Sequence, residues 1–136
     1  MTIVLNSRER NLSRDAKFRP GEIVMANIVN GIENRHASGK FRPCVIVEAP
    51  EHGCLMVAGL TSRALTKKGD SRMEICDKQE CGLHGRSFLY GRHLTRVSRI
   101  DVGDHLGWLS TGDAVKLADV YRLATNWMMN DGRTVD

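Results

Sequence analysis

Aromatic residues are scarce, at 5% of the 136 positions. A surface that binds unpaired bases by stacking them one after another needs several rings. Stacking therefore contributes little here, and any affinity for a nucleic acid rests mainly on charge. Long apolar runs are missing too. Nothing approaches the roughly 20 consecutive apolar residues of a membrane-spanning helix, so no membrane partner is expected. The first residues hold no apolar h-region of a secretory signal, and the expected location is cytoplasmic. The cysteines are few: Cys44, Cys54, Cys76 and Cys81. In a reducing compartment they do not form a disulfide framework. There are no internal repeats and no low-complexity segment.

What is present suits one folded domain. Hydrophobic residues make up 41% and charged residues 26%, ordinary values for a globular chain of this length. The formal net charge is +4, with a pI near 9.1, which favours a polyanionic partner. Arg8, Arg10, Arg14, Lys17 and Arg19 outnumber Glu9 and Asp15 in the first twenty residues. We read residues 1–18 as a basic N-terminal extension and 19–132 as the domain.

Pro20-Gly21 is turn chemistry. The β-branched run that follows, Ile23 to Val29, reads as a strand. Asn30 to Lys40 is a polar loop, long enough to suggest a functional role. Phe41 to Val47 is the central strand, with Pro43 limiting its pairing at the start. Leu55 to Leu60 returns antiparallel after a short turn. Thr61 to Asp70 is a second basic loop, and Ser71 to Cys76 alternates as a short strand. Ser87 to Tyr90 is another strand, and Leu94 to Ile100 a last strand or extended edge. Asp101 to Leu109 reads as a turn region in which Trp108 plugs the core. Ser110 is a helix N-cap, and Asp113 suits the positive helix end. Helical spacing then runs to about residue 129, where Asn130-Asp131-Gly132 stops it. The fold class is mainly β: a small, strongly curved barrel with a C-terminal helix packed on it.

Two positions stand out for chemistry. Arg42 lies where a basic loop becomes a buried strand, and Thr61-Ser62-Arg63 follows the next strand. An arginine and a hydroxyl pair, each at a strand margin, form a candidate anion site. Cys44 reads as a small core residue. Cys76-x4-Cys81-x2-His84 loosely resembles a zinc cluster but lacks the usual spacing and a second ligand pair. No metal is assigned.

The chain resembles the MazF/PemK family of toxins. Arg19-Pro20-Gly21-Glu22-Ile23-Val24 resembles the family's opening strand motif, with Pro20 inserted. Gly39-Lys40-Phe41-Arg42-Pro43-Cys44-Val45-Ile46-Val47 resembles its Gly-x-x-Arg-Pro-x-x-Val-x signature. Leu60-Thr61-Ser62 resembles the hydroxyl-bearing strand end, and Ser98-Arg99-Ile100-Asp101 the late segment before a Leu-Ser helix start at Leu109-Ser110. The resemblance implies an SH3-like barrel and a homodimer. It also implies a metal-independent endoribonuclease that cuts single-stranded RNA, uses no cofactor and is neutralised by a cognate antitoxin protein.

Position by position, Arg42 takes the place of the family's catalytic arginine and Thr61 that of its catalytic hydroxyl. The family's Arg-x-Asp positions, counted back from Ile100-Asp101, hold His93 and Thr95, and Arg96 replaces a glutamine. Metal-free RNA cleavage needs a base for the 2′-OH, positive charge for the phosphorane and a proton for the leaving 5′-oxygen. His93 is the acid/base candidate because imidazole titrates near neutral pH; His36 and His84 are weaker ones. Lys40, Phe41, Ser62, Arg63 and Arg96 are the RNA-binding candidates, and Arg92, Lys67 and Lys68 extend a phosphate-tracking surface. The alternative is a catalytically silent SH3-like module that binds nucleic acid or protein through the same groove.

Overall fold

A computed structural model of the chain describes residues 17–28, 40–75, 77 and 80–129, with Lys40 described by its backbone alone. Residues 1–16 of the expected N-terminal extension, the loop carrying His36, Cys76 and the expected helix stop at 130–132 lie outside the described residues; Phe18, at the end of that extension, is buried in the core.

Five strands form one antiparallel, barrel-like sheet in the order β4-β3-β2-β1-β5. They are β1 (Glu22–Ile28), β2 (Lys40–Glu48), β3 (Leu55–Thr61), β4 (Phe88–Val97) and β5 (Val102–Trp108), followed by one helix, α1 (Thr111–Tyr121). Cys44-Val45-Ile46-Val47 of β2 is buried on both faces. A strand flanked on both sides and covered on both faces needs an apolar run, not an alternation. Its even positions join Phe18, Val24, Ala26, Val57 and Val102 in one core cluster. Its odd positions join Ile23, Ala58, Leu60, Leu117 and Trp127 under the helix in the other. Burial of Cys44 pushes its thiol pKa up to about 12, because the thiolate cannot be solvated there.

The last third of the sheet differs from the sequence reading. The two strands expected at 87–90 and 94–100 are one, β4, interrupted by a bulge. Gly59 pairs Tyr90 and Val57 pairs Thr95, so β4 spends five residues where β3 spends two. Gly91, at φ +90°, turns the chain into that bulge. The strand expected at 71–76 is absent among the described residues; Ser71 and Glu74 make only isolated bridges, to Leu65 and Phe88. The expected turn at 101–109 is instead β5, paired to β1 with two register shifts. Its Trp108 is 40% exposed and meets His105 edge-on at 5.6 Å, so it does not plug the core.

Helix α1 begins as expected: the Ser110 hydroxyl accepts from the Asp113 N–H at 3.1 Å. Asp113 is buried and accepts from the Asp77 N–H at 3.0 Å, tying the helix to the loop before it. The helix ends at Tyr121, well short of 129. Arg122 adopts the left-handed conformation at φ 56°, and the Leu123 N–H caps the Ala118 carbonyl at 2.8 Å. The chain then folds back, and the buried Trp127 donates its indole N–H to the Ala114 carbonyl at 2.9 Å. Apolar spacing cannot separate a longer helix from a short one whose tail returns to the same groove. The described residues hold no helix long and apolar enough to cross a membrane.

Candidate functional site

One rim of the sheet collects the end of β1, the start of β2, the end of β3 and the start of β4. Ala26 pairs Arg42 and Thr61 pairs Phe88. Cys44 pairs Gly59, and continuing that register outward by two residues sets Arg42 across from Thr61. Residues directly opposite in an antiparallel pair have Cα atoms about 5 Å apart. The paired register itself ends at Cys44 and Gly59, and the two functional candidates, some twenty positions apart in sequence, lie just beyond it on the same rim.

A cavity of about 440 Å³ opens at this rim, lined by Arg42, Thr61, Ser62, His84 and Arg86, with Met25, Pro43, Leu60 and Leu106 as its apolar wall. Arg42 has no carboxylate partner among the described residues. Its guanidinium instead stacks 4.8 Å from the centre of the Tyr90 ring, where the positive charge meets the negative face of the ring. Its charge therefore stays available to an anion. Arg86 is different. It binds Glu74 through two hydrogen bonds of 3.0 and 2.8 Å, which raise its pKa and offset its charge. The Thr61 oxygen accepts from the Arg63 N–H at 3.3 Å. That contact orients the hydroxyl and leaves its proton to be donated outward.

His84 and Arg86 reach the cavity because the segment before them lies directly on β5. Trp108 donates its backbone N–H to the Glu80 carbonyl at 2.8 Å. A Cβ at Gly82, where φ is +68°, would collide with the Leu106 carbonyl, and one at Gly107 with the Glu80 carbonyl. Two glycines are needed for so close an approach of two backbones.

The remaining candidates are scattered. His93 is exposed in the β4 bulge and is not among the residues lining the cavity. Arg96 pairs Met56, five residues along β3 from Thr61, or about 17 Å at the usual strand rise. Arg63 is exposed, and its carbonyl accepts from the Arg72 Nη1 at 3.1 Å. Phe41 is 59% exposed, its ring against Gly103 beside Met25. The side chain of Lys40 lies outside the described residues. Sequence reasoning ranks His84 low and passes over Arg86, Arg72 and Tyr90; no local motif marks them, since strand pairing and the Gly82 contact bring them in.

Of the loose zinc pattern, Cys76 lies outside the described residues. Cys81 is buried in the core cluster under the helix, whereas His84 lines the cavity. Among the described residues no three His, Cys, Asp or Glu side chains are grouped so as to hold a metal ion.

A family model described as PemK-like, MazF-like toxin of type II toxin-antitoxin system matches residues 19–123, more than three quarters of the chain. Among curated proteins, none matches it.

Proposed function

The chain belongs to the PemK-like, MazF-like toxins of type II toxin–antitoxin systems, and from that premise we propose that it is an endoribonuclease that cleaves single-stranded RNA without a metal ion. The observation that carries this reading is the shared cavity of Arg42, whose guanidinium has no carboxylate partner among the described residues, and the Thr61 hydroxyl. In this reading Arg42 donates to the non-bridging oxygens of the scissile phosphate and stabilises the phosphorane as charge builds on it. Thr61 donates a further hydrogen bond to the same phosphate.

The 2′-oxygen attacks phosphorus as its proton passes to a base, the bond from phosphorus to the 5′-oxygen breaks, and that oxygen takes a proton from water. The products are a 2′,3′-cyclic phosphate and a 5′-hydroxyl. Among the described residues His84 is the one imidazole lining the cavity, and we assign it the base in preference to His93. Arg86 and Ser62 contact the strand beside the scissile bond. The exposed Phe41 offers a ring to one neighbouring base. The protein works as a homodimer in the cytoplasm, where a cognate antitoxin covers the cavity.

The test is an assay on long single-stranded RNA with EDTA present, comparing the protein with Arg42→Ala. Cleavage at discrete sites, lost in a variant of unchanged circular dichroism, supports the reading. Equal cleavage by the variant removes Arg42 from the site. RNA bound but left intact by the wild-type protein replaces the nuclease with a silent binding module.

A further inference from the structure

Tyr90 has a second cation on it. Arg72 lies 5.2 Å from the ring centre, so one ring is shared by Arg42 and Arg72. Arg72 belongs to a separate cleft of about 570 Å³, lined by Lys67, Lys68, Arg72, Tyr90 and Arg92 with Asp70 as its one carboxylate. Four cations against one anion leave a strong positive excess in a small concavity. None of Lys67, Lys68 and Arg92 pairs with a carboxylate among the described residues. The buried Nε of Arg72 finds no hydrogen-bond acceptor. Like charges held together without counter-charges cost folding energy, and an anion from outside would offset that cost.

The lysines are also held in place. The Gly69 N–H bonds the Thr66 carbonyl at 2.9 Å, closing a turn with Lys67 and Lys68 at its two central positions. The Thr66 hydroxyl accepts from the Lys68 and Asp70 N–H groups at 3.2 and 3.1 Å. Gly69 takes the left-handed conformation, φ +84°, that the turn requires. The Arg72 N–H bonds the Ala64 carbonyl at 3.0 Å and closes the loop at its base. A turn this well bonded fixes the backbone that carries the two lysines, so binding does not have to order the loop first, which lowers its entropy cost.

We infer that this cleft is a second anion subsite, which holds the phosphodiester backbone of the RNA strand beyond the scissile step, with Tyr90 as the bridge between it and the Arg42–Thr61 cavity. The inference rests on the ribonuclease reading for its substrate. Adjacency supports a polymer over a single phosphate: an arginine of each concavity lies on the same Tyr90 ring, and one strand can bring a phosphate to both. Occupying both raises affinity through the chain that links the phosphates.

The test uses Lys67→Ala/Lys68→Ala, which removes two exposed charges and keeps every backbone hydrogen bond of the turn. Two readouts are taken. In cleavage, the wild-type protein favours a long RNA over a short oligonucleotide confined to the scissile step, and that kcat/KM ratio falls toward one in the double variant. In binding, a single-stranded 2′-O-methyl RNA, which lacks the nucleophile, is titrated across a salt series. The slope of log K against log salt becomes shallower by about 1.4, or about 0.7 for each phosphate that a lysine no longer neutralises. Lys67→Arg/Lys68→Arg restores both. A slope and a ratio equal to those of the wild-type protein overturn the subsite. A wild-type protein that cleaves no RNA removes the nuclease reading, and the salt slope still decides the cleft.

Discussion

The guanidinium of Arg42 sits 4.8 Å above the ring of Tyr90, and this contact, not an ion pair, holds the arginine at the cavity. A carboxylate in the same place would position Arg42 equally well but would cancel the charge that the phosphate needs. An aromatic face orients the cation and leaves its N–H donors free. Tyr90→Phe keeps the face and should cleave within about twofold of the wild-type protein. Tyr90→Ala removes about 1 kcal/mol of cation–π attraction and should lower kcat/KM about fivefold to tenfold, chiefly in kcat. Equal losses in the two variants, measured on one RNA, would exclude the ring as a positioning device.

A pH profile identifies the base. With His84 accepting the 2′-OH proton, kcat/KM has an acid limb that rises with pH and then levels. The sign follows because only the neutral ring accepts a proton. His84→Ala should abolish that limb and lower the plateau by about 10²-fold or more. If the limb survives in His84→Ala and vanishes in His93→Ala, the exposed histidine of the β4 bulge is the base.

The cysteines report burial. Burial holds the Cys44 thiol near a pKa of about 12, whereas Cys54 is exposed. At pH 8 iodoacetamide should label Cys54 in the folded protein and reach Cys44 only after denaturation, as read by mass spectrometry of the peptides. The same shift sets a sign for stability. Below the ordinary thiol pKa of 9.0 both states keep the proton and Cys44 contributes no slope. As pH rises toward about 12 the unfolded chain releases that proton while the folded one keeps it, so Cys44 makes stability fall. Labelling of Cys44 in native protein as fast as Cys54 would contradict its packing.

Two substitutions separate the scaffold from the site. Ser110→Ala removes the N-cap of α1 and should cost about 1 kcal/mol in urea denaturation, with activity per folded molecule retained. Gly82→Ala forces a side chain into the Leu106 carbonyl at a positive φ and should cost about 2 kcal/mol or more. Because Gly82 holds the segment that carries His84, cleavage should also fall further than the reduced folded fraction explains. A Gly82→Ala protein of wild-type stability and activity would refute the close contact.

The first half of the fold was legible because each strand there is announced by its own residues. Ile23-Val24, Cys44 to Val47 and Leu55 to Leu60 are apolar runs bounded by turn residues, and the pairs they form are between neighbours in sequence. The second half was not. Gly103 and Gly107 look like turn residues, yet they lie in β5, where Gly107 is required by the approach of Glu80. Gly91 sits inside β4 as a bulge residue, not between two strands. The apolar spacing through Trp127 continued past a helix that Arg122 had already ended. In each case the residue's conformation was decided by a backbone packed against it from far along the chain.

The site divides in the same way. By itself the sequence determined that Arg42 and Thr61 stand at strand margins, that Cys44 is core and that Ser110 caps a helix, because these follow from local pattern and residue chemistry. Its motifs also carried the family. Tertiary structure alone decided which cations have a carboxylate against them: Arg86 is paired to Glu74, while Arg42 and Arg72 share Tyr90. It likewise brought His84 to the cavity and left His93 in an exposed bulge. A titratable side chain acts through what lies within a few ångströms of it, and those neighbours are set by strand register and by two glycine contacts, which no stretch of sequence states on its own.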